Sequence, residues 1–289
     1  MLKERILSAI VMIILAVVAL FWLSPLAFTI GLSAIVVLGM WEWAQFAGFK
    51  RPIARAIVAF VVTCLLIFPI MAGTSYIQAT RFLTDETTPL LFIGGFWWLV
   101  ASALVVSYPK SADVWAKSVV AKFIFGFCTL IPFLIGTLAL RFYQYNLDQY
   151  QGTYLLLYVF LLVWGADSGA YFAGRAFGKH KLAPKVSPSK SWEGAIGGVI
   201  TSAVIATIFL SVVPANVFGR ELNTSAFVVL SVITVAISIL GDLSESMFKR
   251  QVGIKDSSNL IPGHGGILDR IDSLTAAVPI FAIGFFFFL

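Results

Sequence analysis

Four carboxylates, Asp242, Glu245, Asp269 and Asp272, stand in two pairs at i, i+3 spacing, and between the pairs lie Lys249, Arg250, Lys255, His264 and a run of glycines. Residues three apart share one face of a helix, so each pair presents two acidic groups in one direction. Two acidic pairs at facing helix ends suit Mg²⁺, which takes carboxylates, waters and phosphate oxygens. The simpler alternative for Asp269 and Asp272 is a helix start whose acidic residues complement the macrodipole. In Pro262-Gly-His-Gly-Gly266 the glycines let the backbone approach a ligand, and a helix N-terminus follows. On this reading His264, Gly265 and Gly266 contact a phosphate-bearing substrate, and Lys249, Arg250, Lys255 and Arg270 neutralise its charge. The plain alternative for the cations is topological, because basic residues also mark the cytoplasmic loops of membrane proteins.

A second polar cluster is Ser187-Pro-Ser-Lys-Ser-Trp-Glu-Gly194. Lys190 and the helix start behind it can share a phosphate, with Ser187, Ser191 and Glu193 as further contacts. Ser191 as N-cap and Glu193 in the first turn would be the structural version of the same text. Asp167 lies inside an apolar run, Trp164-Gly-Ala-Asp-Ser-Gly-Ala-Tyr171, where an ionisable group is a functional hypothesis by default. A buried structural hydrogen bond, for instance to Arg175, is the competing account. Glu42, between Trp41 and Trp43, reads as interfacial, since tryptophans mark the headgroup zone. His180 is the only other histidine beside His264, so no zinc site is expected.

The elements that position these residues are membrane helices. Of the 289 residues, 60% are hydrophobic and 12% charged, and the mean hydropathy is +0.95. Apolar runs of bilayer-crossing length predict an all-α, polytopic integral membrane protein of about nine spans: 5–23, 26–45, 54–71, 90–108, 120–141, 153–173, 193–213, 225–243 and 271–289. With the N-terminus cytoplasmic and the C-terminus outside, 17 of the 20 Lys and Arg fall in inside loops, leaving only Arg81, Arg141 and Arg220 elsewhere. The net charge of +6 is thus a topology signal, and no soluble basic domain exists to bind nucleic acid. The first apolar run is expected to be an uncleaved helix, and Cys64 and Cys128 to be packing residues. The whole is expected to form one membrane-embedded domain, 1–150 as scaffold half and 151–289 as catalytic half. Two long loops, 174–192 and 244–270, share the cytoplasmic face, so their polar groups can meet.

These segments also carry a resemblance. Ser246-Met-Phe-Lys-Arg-Gln-Val-Gly-Ile-Lys-Asp256, followed by Leu260-Ile-Pro-Gly-His-Gly-Gly-Ile-Leu-Asp-Arg-Ile-Asp272, resembles the signature of bacterial phosphatidate cytidylyltransferases. The 187–194 and 164–171 segments are similar to that family too, with serine at 191 where the family carries threonine. The resemblance implies transfer of CMP from CTP to phosphatidic acid, at the cytoplasmic face of the bacterial inner membrane. It implies dependence on Mg²⁺, with a second cation such as K⁺, and a homodimer. It points to Asp242, Asp269 and Asp272 as metal-binding, and to Asp242, Asp269, Lys249 and Arg250 as the catalytic group. Two other classes compete with it. A transporter for an anionic phosphate-bearing solute would suit Asp167, but the polar residues gather at one face and not along a path. The CDP-alcohol phosphatidyltransferases carry a DG…AR…G…D…D pattern, which is not found here.

Overall fold

Backbone groups in hydrocarbon have no water to bond, so long apolar runs close their hydrogen bonds internally as helices. The computed structural model describes residues 2–62, 83, 87–213, 218 and 222–289. In order these form α1 (Leu2–Trp22), α2 (Pro25–Phe46), α3 (Pro52–Val62), α4 (Thr87–Val106), the short α5 (Ala112–Trp115), α6 (Val119–Arg141), α7 (Gln151–Phe177), β1 (Lys181–Ala183), β2 (Ser187–Ser191), α8 (Trp192–Val212), α9 (Thr224–Val252) and α10 (Leu268–Phe287). Among the described residues seven helices are long and apolar enough to cross a bilayer: α2, α4, α6, α7, α8, α9 and α10. The chain is therefore an all-α polytopic membrane protein. The expected first span lies in α1, and the third begins with α3. Residues 63–71 of that third span, with Cys64, Arg81 and Arg220, lie outside the described residues.

Two of the expected loops are more ordered than their polarity suggests. The 174–192 segment contains an antiparallel hairpin, with Lys181 opposite Ser191 and Ala183 opposite Ser187. The 244–270 segment is helical up to Val252, because Leu243, Met247 and Phe248 still face the core and Glu245 pairs with Lys249 one turn on. Gly253, at φ +74°, ends α9 in the left-handed conformation, which favours glycine, and its N–H returns to the carbonyls of Lys249 and Arg250.

The bundle sorts its polar groups by end. At one end, the Trp43 indole donates to the Lys122 carbonyl at 2.7 Å, and Lys190 reaches Asp242. Beneath that end lies an aromatic cluster centred on Phe248, with ring centroids 5.0 Å from Trp43 and 4.9 Å from Trp115. At the other end Arg141 is buried against the rings of Phe28, Phe142 and Tyr145. Close approach between helices is made by small residues, as expected where lipid supplies no hydrophobic drive between helices. A Cβ at Gly241 would sit 2.8 Å from the Ala276 Cβ and 2.9 Å from the Asp272 carbonyl. That contact brings the ends of α9 and α10 together where Asp242 and Asp272 stand.

Candidate functional site

After α9 stops at Gly253 the chain folds back on itself, pairs Ile261 with Gly265, and starts α10 at Leu268. The knot that holds this return is Asp269. Its Oδ2 accepts from the Ser257 N–H (2.8 Å), the Ser257 hydroxyl (2.9 Å) and the Gly266 N–H (2.7 Å). Its Oδ1 accepts from the Lys249 ammonium at 2.6 Å. Lys249 also stands 3.4 Å from the Glu245 carboxylate, and all three side chains are buried.

The second holder of the loop comes from the other half of the chain. Glu42, fully buried, accepts from the Ser258 hydroxyl (2.6 Å), the Ile267 N–H (2.9 Å) and the Leu268 N–H (2.7 Å). The single Ser257 proton is shared between Glu42 and Asp269, at 3.0 and 2.9 Å. The residue before α10 offers no side-chain cap, and Glu42 supplies that cap from α2. The interfacial reading of Glu42 is thus corrected: Trp43 beside it is buried in the core, and the carboxylate is an interior latch. The expectation that the Pro262–Gly266 backbone is open to a ligand is corrected at Gly266. The N–H groups of Gly266, Ile267 and Leu268 point at protein carboxylates, and a Cβ on Gly266 would collide with Ser257 Oγ and Glu42 Oε1.

The two polar segments do meet. Lys190, on β2, pairs with Asp242 at 2.7 Å, and the Arg250 guanidinium donates to the Val186 carbonyl in the hairpin turn at 3.2 Å. Ser191 caps α8 by accepting from the Gly194 N–H, as its position predicts. Glu193 turns back to the base of the hairpin, where His180 Nδ1 lies 2.7 Å from it. Ser187 faces Ser189 at 3.5 Å. His264 Nδ1 lies 2.6 Å from the Ser8 hydroxyl of α1. Lys255 and Arg270 are exposed at this end. Arg175 hydrogen-bonds the Tyr171 hydroxyl, and among the described residues it makes no bond to Asp167.

Between α7, the hairpin, α8 and α9 opens a cleft of about 420 Å³, lined in part by Asp167, Arg175, Ser189, Lys190, Ser191 and Asp242. Asp272 stands beside it in charge terms, close enough to interact electrostatically with Asp242 and Lys190. Asp272 accepts from the N–H of Ser273 (2.8 Å) and lies next to the Glu245 carboxyl, and it takes fewer protein donors than Asp269 does.

The donor set can be tested against a divalent cation. Asp242, Glu245, Asp269 and Asp272 bring four carboxyl groups, and the cations touching them are two, Lys190 and Lys249. Among the described residues both Glu245 oxygens are buried without a hydrogen-bond partner. Clustered carboxyl oxygens that outnumber the cations beside them fit a hard cation with oxygen ligands. Among the described residues no three such side chains converge into a closed cage. Mg²⁺ does not need one, since it keeps waters and borrows substrate phosphate oxygens.

Fold and site together define a class: a multi-pass helical membrane protein whose buried carboxyl groups and cations gather at one end of its bundle. The chain belongs to the cytidylyltransferase family, whose model matches residues 3–288. It is 54% identical over 289 residues, the whole of both chains, to the phosphatidate cytidylyltransferase of Haemophilus influenzae. It is 42% identical over 282 residues to that of Pseudomonas aeruginosa (98% of this chain, 96% of the relative) and 33% over 283 residues to that of Bacillus subtilis (96% and 95%).

Proposed function

We propose that this chain is a phosphatidate cytidylyltransferase: it transfers CMP from CTP to phosphatidic acid, giving CDP-diacylglycerol and pyrophosphate. The observation that carries the reading is the full-length identity to relatives of that name, 54% for the first. In the reaction an oxygen of the lipid phosphomonoester attacks the α-phosphorus of CTP. A P–O bond forms there, and the bond to the bridging oxygen breaks, so pyrophosphate leaves with the electron pair. A phosphate monoester has its second pKa near ~6, so the nucleophile is largely ionised at neutral pH and no strong protein base is required. That agrees with a chain of two histidines, one bonded to Glu193 and one to Ser8.

The work left to the protein is alignment and charge neutralisation. Lys190, held at the cleft by Asp242, faces the phosphates. Lys249 and Asp269 keep the 254–267 segment in place beneath them. Mg²⁺, with or without a second cation such as K⁺, would be held by Asp242 and Asp272 with Glu245 behind them, and Asp269 bracing the group. Bound there, it would offset charge on the nucleotide phosphates. The reading extends to a homodimer in the inner membrane, with the site facing the cytoplasmic CTP pool. The transporter alternative finds no support, because the clustered carboxylates and cations lie at one end of the bundle. The test is pyrophosphate release by the purified full chain in detergent. Release from CTP is expected only when phosphatidate and Mg²⁺ are both present. No release across lipids and salts would overturn the assignment.

A further inference from the structure

Arg175 is the one guanidinium among the described residues lining the cleft, and nothing in the site uses its charge. Lys190 is neutralised by Asp242, Lys249 by Asp269 and Glu245, whereas among the described residues Arg175 faces no carboxylate within ion-pair distance. Its neighbour is the neutral Tyr171 hydroxyl at 3.4 Å. Its position on α7 is specific. Asp167, Tyr171 and Arg175 follow one another at i, i+4, so they share a face and form a ladder about 12 Å long. That face is uncovered by protein: Asp167 and Arg175 are exposed, and Tyr171 between them is 60% exposed. Trp192, the first residue of α8, is 56% exposed at the same level. Exposed Tyr and Trp at the end of membrane helices mark the headgroup zone. The cleft therefore opens sideways onto the bilayer at headgroup depth, with a guanidinium that among the described residues meets no carboxylate at its mouth and Lys190 and Asp242 behind.

We infer that Arg175 is the residue that grips the phosphomonoester of the lipid substrate, entering from the membrane. The inference rests on the cytidylyltransferase reading and deepens it. The guanidinium fork matches two oxygens of a terminal phosphate, which a phosphodiester lipid presents less well and a nucleotide in the aqueous half of the site does not need. Arg175 also sits in the last turn of α7, where any cation complements the helix dipole. A role confined to that dipole predicts that Lys replaces Arg without loss. The phosphate role predicts that it does not, because an ammonium cannot bind bidentately.

The experiment is steady-state kinetics of the full chain in mixed micelles, varying the surface fraction of phosphatidate and, separately, CTP. Wild-type turnover is measured first, since its absence would count against the function itself and not against Arg175. With wild type active, Arg175→Ala is expected to raise the KM for phosphatidate about 10- to 100-fold, the loss of one charge-assisted pair, with the KM for CTP within about twofold. Arg175→Lys is expected to recover only part of that loss. Tyr171→Phe removes the hydroxyl and not the charge, and is expected to move either KM by less than about threefold. An unchanged phosphatidate KM in Arg175→Ala, full recovery by Lys, or a rise confined to the CTP KM would each overturn the proposal. Should Arg175→Ala be lost on purification, Arg175→Lys decides alone: a raised phosphatidate KM supports the grip, and a KM like wild type overturns it.

Discussion

Asp269 accepts four hydrogen bonds and Asp272 one from the backbone, so the same substitution has different consequences at the two sites. In Asp269→Asn an amide NH₂ must face either Lys249 or the Ser257 and Gly266 donors, and Lys249 is left buried with Glu245 alone. Breaking such a buried arrangement costs about 3 kcal/mol or more. Asp269→Asn is therefore expected to lose both turnover and thermal stability in detergent. Asp272→Asn is expected to unfold within about 2 °C of wild type and to lose turnover by at least ~100-fold, as removal of one charge-stabilising group does. A fully active Asp272→Asn would remove it from the metal proposal. Glu42 answers like Asp269. Glu42→Gln leaves one oxygen for two pairs of donors; the serine hydroxyls can turn away, but the N–H groups of Ile267 and Leu268 cannot. We expect a loss of about 2 kcal/mol in stability, together with lower kcat, measured by thermal unfolding and pyrophosphate release. The sequence contained the signal for Glu42, an ionisable group in an apolar run, but the flanking tryptophans suggested an interface. Only the fold shows that Trp43 is core and that the partners of Glu42 lie more than 200 residues away.

At the scale of elements, most helices were legible as apolar runs, because lipid imposes a length and forbids unpaired backbone. Their cytoplasmic ends were not. The run of α9 stops being apolar near Asp242, yet the helix continues to Val252, since Leu243, Met247 and Phe248 remain core and the polar residues between them pair with one another. The hairpin of β1 and β2 was equally hidden, because a three-residue strand and a partner rich in Ser carry no hydrophobic alternation. What could be read was that the two polar segments share a face, and the Lys190–Asp242 pair shows them in contact. The α9–α10 contact at Gly241 is the element-level feature on which the acidic group depends. Gly241→Val places branched carbons against the Asp272 carbonyl and Ala276, forcing the helices apart. We expect a variant that still inserts, with helix content unchanged by circular dichroism. Its turnover should fall at least ~10-fold, and the Mg²⁺ concentration for half-maximal activity should rise, since sub-ångström misplacement weakens a positioned site. Turnover and Mg²⁺ response like wild type would show that the close approach does not set the acidic geometry.

For the whole molecule, charge decides orientation more firmly than any single helix does. The basic loops gather at the end that carries the hairpin and the 254–267 return, and Arg141 lies buried at the opposite end. Orientation by Lys and Arg bias then predicts that the hairpin end is cytoplasmic and the α6–α7 connection is outside. The two ends offer clean reporters: Lys185 is exposed in the hairpin turn, and Leu147 is 81% exposed between α6 and α7. The chain has two cysteines, so Cys64→Ala with Cys128→Ala gives a silent background. Cys128 is buried in α6, and its loss is expected to cost at most about 1 kcal/mol, since a free buried Cys packs as a small hydrophobe. In that background Leu147→Cys is expected to react with a membrane-impermeant maleimide in intact cells. Lys185→Cys is expected to react only after the membrane is opened. The opposite pattern would put the cleft, Arg175 and the carboxylates on the side of the membrane that lacks CTP. Reaction of both sites in intact cells would mean that no fixed orientation exists. Because every proposed contact with nucleotide lies at the hairpin end, this one measurement constrains the chemistry as well as the topology.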